Sequence, residues 1–348
     1  MHFGTCGGCA LQDIAPDEYR TLKRDIVVDV LARHGFADAV VEEIVSVPPR
    51  TRRRATFKVQ KQNGAVQIGF HAAKSHTIVD IQECQVLTPA LFAAVPRLRE
   101  MMAALMREGD TCELHVTDTD TGLDIAIGWN RPNSAKLIGE IARWATKFKF
   151  ARITSGNDIL VELATPRIQF GKASVDLPPE AFLQPTREGE AVLQKHVIAA
   201  IGKAKHIADL FSGCGTFALP LAERARVHAV ELERPMLDAL AKAARNTSGL
   251  KPLTTEARDL FKRPLTAPEL SKFDCVVLDP PRAGAVAQAK ELVQSKIARI
   301  AYVSCNAASF ARDASILAEG GFRMGPVTPV DQFLWSSHIE LVAAFARS

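Results

Sequence analysis

The run HIADLFSGCGTFALPLA, residues 206–222, joins an apolar, strand-like segment to a glycine-rich turn and then to a second apolar stretch. Its pattern recurs downstream. RVHAVEL, FDCVVLDP and ARIAYVSC are further apolar segments, separated by the helix-like stretches PMLDALAKAARN and AVAQAKELVQSK. Strands alternating with helices imply a parallel sheet covered on both faces, a doubly wound α/β domain. The closing HIELVAAFA supplies one more strand. The alternation begins near residue 200. Upstream, over residues 60–170, short strands are set off by the turn signals QNG, TDTDTG and SGND around one amphipathic helix near 88–107, which reads as a small α+β domain.

Composition is consistent with this division. A chain of 348 residues that is 47% hydrophobic can bury the cores of two or three domains. No apolar run reaches transmembrane length, and the first twenty residues carry no signal-peptide segment, so the expectation is a soluble cytoplasmic protein. Seven cysteines in a reducing compartment argue against a disulfide framework. The net charge is only +4, so any nucleic-acid footprint must be local. The stretch RTRRRATFKVQK, residues 50–61, has six basic residues and no acid. Its alternation with Thr56, Phe57 and Val59 suggests a strand that would hold Arg52, Arg53 and Arg54 on a rigid surface suited to phosphates, although basic residues also protect a bare sheet edge.

In the loop after residue 210, Gly213, Gly215 and Ala218 fit the G-x-G-x-x-A form of a dinucleotide fingerprint, and Glu231 ends the next strand where a ribose partner belongs. Asp209 at the mouth of that loop would repel a pyrophosphate. It would attract the sulfonium and ammonium of S-adenosylmethionine, which is therefore the favoured ligand over a nicotinamide cofactor. At the end of the fourth strand, LDPPRAG (278–284) places Asp279 and Arg282 at the carboxyl edge of the sheet, where ligands bind. Arginine, not an aromatic residue, follows the second proline.

AYVSCNAASFARD, residues 301–313, ends its strand at Cys305 and turns at Asn306, so the thiol should face the same crevice as Asp279. Cys275 and Cys112 read instead as buried apolar residues. Carbon 5 of uracil is a poor nucleophile, and a thiolate adding at carbon 6 turns the ring into an enolate that can take a methyl group. A base must then remove the carbon 5 proton. Glu340, in SSHIELVAAF, is the candidate, with His338 as its rival.

The ordered set DLFSGCGTFALPLA, AVELE, LDPPRAG, SCNAASFARD and HIE resembles the bacterial RNA (uracil-5-)-methyltransferase family. AFLQPTREGEAVL and IGFHAAKSHTIVDIQECQVLTP extend the resemblance over nearly the whole chain. It implies a class I, Rossmann-like methyltransferase domain at 181–348, a cysteine-bearing basic part of the RNA-binding region at 1–90, and the remainder of the central α+β domain at 91–180. It further implies Cys305 as nucleophile, Glu340 as base, and Gln184, Phe211, Thr216, Glu231, Asp259 and Asp279 around the cofactor and the target uracil. Thr216 stands where some members have asparagine.

The opening MHFGTCGGCALQ resembles members that act on 23S ribosomal RNA and hold a [4Fe-4S] cluster. Cys6, Cys9 and Cys84 match three of the four ligands. The fourth aligns immediately before Met1, as though the chain were shortened there, and Cys112 is the one spare. Spacing alone suits zinc; iron-sulfur follows from the resemblance. The expectation is a monomeric enzyme that forms 5-methyluridine in ribosomal RNA, the alternatives being the same chemistry on tRNA or a noncatalytic RNA-binding assembly factor.

Overall fold

The computed structural model describes residues 2–156 and 158–347; Met1, Ser348 and Asn157 of the SGND turn lie outside the described residues. The expected α/β domain is present. Its sheet runs, from one edge to the other, Val45–Ser46, Arg323–Asp331, Glu340–Ala346, Arg299–Ser304, Cys275–Leu278, His206–Leu210, Arg226–Glu231 and Leu253–Ala257. Pairing is parallel through the five strands between Arg299–Ser304 and Leu253–Ala257, and Glu340–Ala346 is antiparallel to both of its neighbours. The strands are near-continuous apolar runs because both faces are covered. Ile207, Val277, Ala301 and Val303 enter one core, and Ala208, Leu210, Val276, Leu278 and Tyr302 the other.

The central domain is a seven-stranded sheet, ordered Ile78–Asp80, Ala65–His71, Arg54–Gln62, Thr111–Thr119, Gly122–Gly128, Arg152–Ser155 and Asp158–Glu162. Ala55, Phe57 and Val59 are buried against helix Pro89–Leu105, which Thr88 caps by accepting from the Leu91 N–H at 3.2 Å. A second helix, Ala135–Phe148, joins the one expected. Ile141 and Ala145 of it are fully buried, and Leu137, Ile138, Trp144 and Phe148 pack on the same core, an amphipathic pattern at helical spacing that the sequence carries and the sequence reading passed over. Cys112 and Cys275 are buried core residues, as expected.

The first ninety residues are shared between the two sheets. Helix Pro16–Arg33 puts Val27 and Leu31 into the α/β core, and Val45–Ser46 adds an edge strand to the larger sheet. A buried polar cluster anchors this helix. Lys23 and Asp331, both fully buried, form an ion pair at 2.8 Å, and the Tyr19 hydroxyl donates to Asp331 at 2.5 Å. Lys23 Nζ also donates to the carbonyls of Ser336 (2.9 Å) and His338 (2.5 Å), fixing the loop that leads into Glu340.

Arg53 joins the two sheets from the other side. Its guanidinium, 1% exposed, pairs with Glu190 at 2.6 Å and donates to the Gln184 carbonyl at 3.0 Å. The expectation that Arg53 meets phosphates is thereby corrected. Strand alternation turns the middle arginine of the triplet inward and leaves Arg52 and Arg54 on the opposite face. No helix among the described residues is long and apolar enough to cross a membrane.

Candidate active site

The carboxyl ends of the parallel strands deliver Phe211, Glu231, Asp259, Asp279 and Cys305 to one edge of the sheet. Glu340 reaches the same edge by running the other way. Ser304 pairs with Leu341, so the residue that starts the antiparallel strand lies beside the residue that follows its parallel neighbour. A cavity of about 1050 Å³ opens there, between the sheet edge and the central domain. Gln184, Phe211, Thr216, Glu231, Asp259, Asp279, Cys305 and Glu340 all line it, together with Cys6, Cys9 and Cys84.

The glycine-rich loop forms one end. Gly213 and Gly215 have φ of 53° and 103°, and a Cβ on Gly215 would fall 2.5 Å from a methyl group of Leu240, so the turn can only be made this tightly with glycine. Phe211 shares the left-handed conformation, at φ 64°, and faces Phe261 with ring centroids 5.5 Å apart. Glu231 accepts from the N–H groups of Gly213 (3.0 Å), Leu232 (2.7 Å) and Glu233 (3.1 Å), which locks its carboxylate at the strand end. Asp259 is held by the N–H groups of Phe261 and Lys262 at 3.0 and 3.3 Å. Asp209 differs from expectation. It is fully buried behind the loop, off the cavity wall, and burial followed by the charge of Asp279 pushes its carboxyl well above the usual range.

At the other end the polar groups form a chain. Gln184 Nε2 donates to Asp279 at 3.2 Å, and Gln184 Oε1 accepts from Gln332 Nε2 at 2.7 Å; the same Gln332 amide reaches Glu340 Oε2 at 3.4 Å. Gln332, 2% exposed, thus ties the two acids through Gln184. The sequence reading missed it. Its one signal is a polar Asp331-Gln332 pair closing an otherwise apolar strand.

Burial dominates the electrostatics. It pushes Asp279 up to about 7, and, joined by the charge of Asp279, holds Glu340 well above the carboxylate range. Cys305 is pushed up to about 11 by burial and then by Glu340 and Asp279, with Arg282 acting in the opposite direction. Burial and then Arg282 push His338 down, and Arg282 Nη2 stands 3.1 Å from His338 Nδ1. A guanidinium only donates, so Nδ1 is occupied as an acceptor.

Cys6, Cys9 and Cys84 come near enough for their charges to interact: burial, then Cys84 and Cys6, push the Cys9 thiol up to about 11. The expected [4Fe-4S] site finds no support in this arrangement. Such a cluster takes four thiolates. Cys112 is packed in the central core opposite Val59, and among the described residues no three His, Cys, Asp or Glu side chains are grouped to hold a metal ion. As folded, the three cysteines are thiols of the cavity wall, and nothing among the described residues supports the expected iron-sulfur or zinc site.

The chain matches known proteins along nearly its whole length. The family model for tRNA (uracil-5-)-methyltransferase matches residues 163–347. An uncharacterized RNA methyltransferase of Brucella melitensis is 45% identical, over 99% of this chain and 83% of that protein. The 23S rRNA (uracil(1939)-C(5))-methyltransferase RlmD of Halomonas elongata is 31% identical, over 97% of this chain and 74% of its own length. Among solved structures, the Pyrococcus abyssi tRNA (uracil-54, C5)-methyltransferase, in complex with S-adenosyl-L-homocysteine, superposes with a TM-score of 0.76 at 22% identity, covering 99% of this chain and 85% of the other, and so shares its fold. With a family model covering more than half of its length and a named relative aligned along nearly all of it, the chain belongs to the tRNA (uracil-5-)-methyltransferase family.

Proposed function

We propose that this protein transfers a methyl group from S-adenosylmethionine to carbon 5 of a uridine in 23S ribosomal RNA, through a covalent adduct on Cys305. The observation that carries the reading is the convergence of Cys305, Glu340, Asp279 and Gln184 on one cavity, with a glycine-rich turn at its other end. That other end fits the cofactor: the Phe211–Phe261 ring pair suits adenine, the locked Glu231 carboxylate suits ribose hydroxyls, and the acidic wall suits a cationic methionine part. When bound, S-adenosylmethionine supplies an electrophilic methyl group.

The residues of the chain do the remaining work. Cys305 gives up its thiol proton to water and the resulting thiolate forms an S–C6 bond, while the C5–C6 π pair moves into the ring as an enolate whose carbon 5 accepts the methyl group. With its carboxyl raised to about 7, Asp279 carries a proton part of the time at neutral pH and can donate to the developing enolate oxygen. Glu340, once ionised, takes the carbon 5 proton; the freed C–H pair re-forms the C5–C6 double bond and expels the thiolate. The raised carboxyl makes Glu340 a stronger base than an exposed one. His338 is the weaker candidate because Nδ1 already faces Arg282. The uridine must be flipped out or single-stranded to enter. Half-buried Arg52 and Arg54 on the cavity wall are placed to meet its phosphates.

Ribosomal RNA is preferred because the 31% identical relative is named for it; tRNA, the word in the family description, is the competing substrate. The intact Cys305 and Glu340 speak against a noncatalytic assembly factor. Incubation with methyl-tritiated S-adenosylmethionine and transcripts of 23S rRNA and tRNA, followed by nucleoside analysis, tests the proposal. Labelled 5-methyluridine in the rRNA digest is expected. Label confined to tRNA would move the assignment to that substrate, and label in neither would defeat it.

A further inference from the structure

The Gly-Gly pair of CGGC and the second half of the basic strand are left unexplained by the chemistry above, and they meet at one place. A second, open cavity of about 530 Å³ lies against the first and shares Gly7, Gly8, Thr56 and Phe70 with it. Lys58, His71, Lys74 and His76 border the part beyond. The two glycines form the saddle between the cavities. Both are exposed, and a Cβ on Gly7 would sit 2.9 Å from the His71 carbonyl, so glycine lets this loop lie flush on the end of strand Ala65–His71.

Alternation along the basic strand supplies the track. Arg53, Ala55, Phe57 and Val59 are buried, whereas Arg52, Arg54, Thr56 and Lys58 share the open face. Alternate residues advance about 6.6 Å, so the row spans roughly 20 Å from the large cavity into the groove. Lys58 is paired with Glu113, the acid on this stretch of the sheet, but Lys74 is exposed and has no hydrogen-bond or ion-pair partner among the described residues. A groove that continues the active site and keeps an uncompensated cation suits a polyanionic strand.

We propose that the single-stranded RNA flanking the target uridine leaves the active-site cavity over the Gly7–Gly8 saddle and lays its backbone in the groove of Lys58, His71, Lys74 and His76. The inference rests on reading the chain as an RNA methyltransferase. Its test is binding, measured apart from turnover. Fluorescence anisotropy with a uridine-containing RNA of about ten nucleotides, within the range of single-strand sites, should show weaker affinity for Lys74→Gln/His76→Gln. The log–log salt slope should fall by about 0.7 for each phosphate that is no longer neutralised. A trinucleotide that fills only the large cavity should bind both proteins alike. Gly8→Phe, placed where a Cβ meets only the Cys6 sulfur at 3.6 Å, should block the longer RNA selectively. An unchanged salt slope in the double variant, or equal weakening for both RNAs, would overturn the groove. A wild-type protein that binds with this pattern yet methylates no RNA would overturn the enzymatic reading instead, and leave the groove standing.

Discussion

Replacing Lys23 with methionine probes how the N-terminal helix supports the active site. The ammonium group is wholly buried, 2.8 Å from an equally buried Asp331, and it also donates to the carbonyls of Ser336 and His338. Methionine fills similar volume but leaves the Asp331 carboxylate with the Tyr19 hydroxyl as its remaining polar side-chain partner. Removing one member of a buried pair costs about 3–5 kcal/mol, because the other charge stays desolvated. At roughly 2–4 °C per kcal/mol for a domain of this size, the unfolding transition of the α/β domain should fall by about 6–20 °C. Lys23→Met/Asp331→Asn should recover much of that stability, since no bare charge remains. Differential scanning calorimetry reads both variants. Amide exchange should show faster opening across residues 332–339 in the single variant, the segment that lysine holds. A melting point within about 2 °C of wild type, or a double variant no better than the single one, would refute the view that Lys23 fastens this loop.

Glu340→Gln should accumulate a methylated covalent adduct with ordinary RNA, visible as a shifted band on denaturing gels, while His338→Gln resolves its adduct; the opposite pattern would make His338 the base. The raised Cys305 thiol gives a pH signature, because the thiolate is the reactive form: its alkylation rate, followed by peptide mapping, should climb about tenfold per unit from about pH 7 to about pH 10. Levelling off below about pH 9 would contradict the buried, acid-flanked environment. Arg53 and Arg54 should behave differently despite their adjacency. Arg53→Met should cost about 3–5 kcal/mol in denaturant unfolding and leave the salt slope of RNA binding unchanged, whereas Arg54→Gln should lower that slope by about 0.7 and cost less stability, since it gives up a hydrogen bond to the Leu183 carbonyl (2.6 Å) but no buried ion pair. Equal effects on the salt slope would return Arg53 to the surface.

What could be read from the sequence is what local pattern determines. The run at 206–222 and its repeats show a parallel sheet because strands buried on both faces must be apolar throughout, and parallel strands bring their carboxyl ends together. Cys305, Asp279 and Glu231 are therefore assignable to one crevice from the pattern alone. Partnerships that span the chain are not legible in this way. Lys23 finds Asp331 more than three hundred residues away, and nothing in helix Pro16–Arg33 marks a buried lysine. Arg53 looks like its neighbours until strand alternation is combined with the position of Glu190 on another element. Cys6, Cys9 and Cys84 are a further case: the family resemblance, not their spacing, groups them, since nothing local to Cys84 points to a pair of cysteines at least 75 residues upstream.

The central claim is the covalent bond between Cys305 and a uracil ring, and RNA containing 5-fluorouridine tests it most directly. Fluorine cannot leave carbon 5 as a proton, so Glu340 has nothing to remove and the adduct should persist after methyl transfer. In the presence of S-adenosylmethionine, the wild-type protein should form a denaturation-resistant complex whose digest shows the methylated fluorouridine on the peptide that contains Cys305. Cys305→Ala should form none and should lose methyl transfer to unmodified RNA. A Cys305→Ala protein that still methylates RNA, or a trapped base attached to any other residue, would contradict the mechanism.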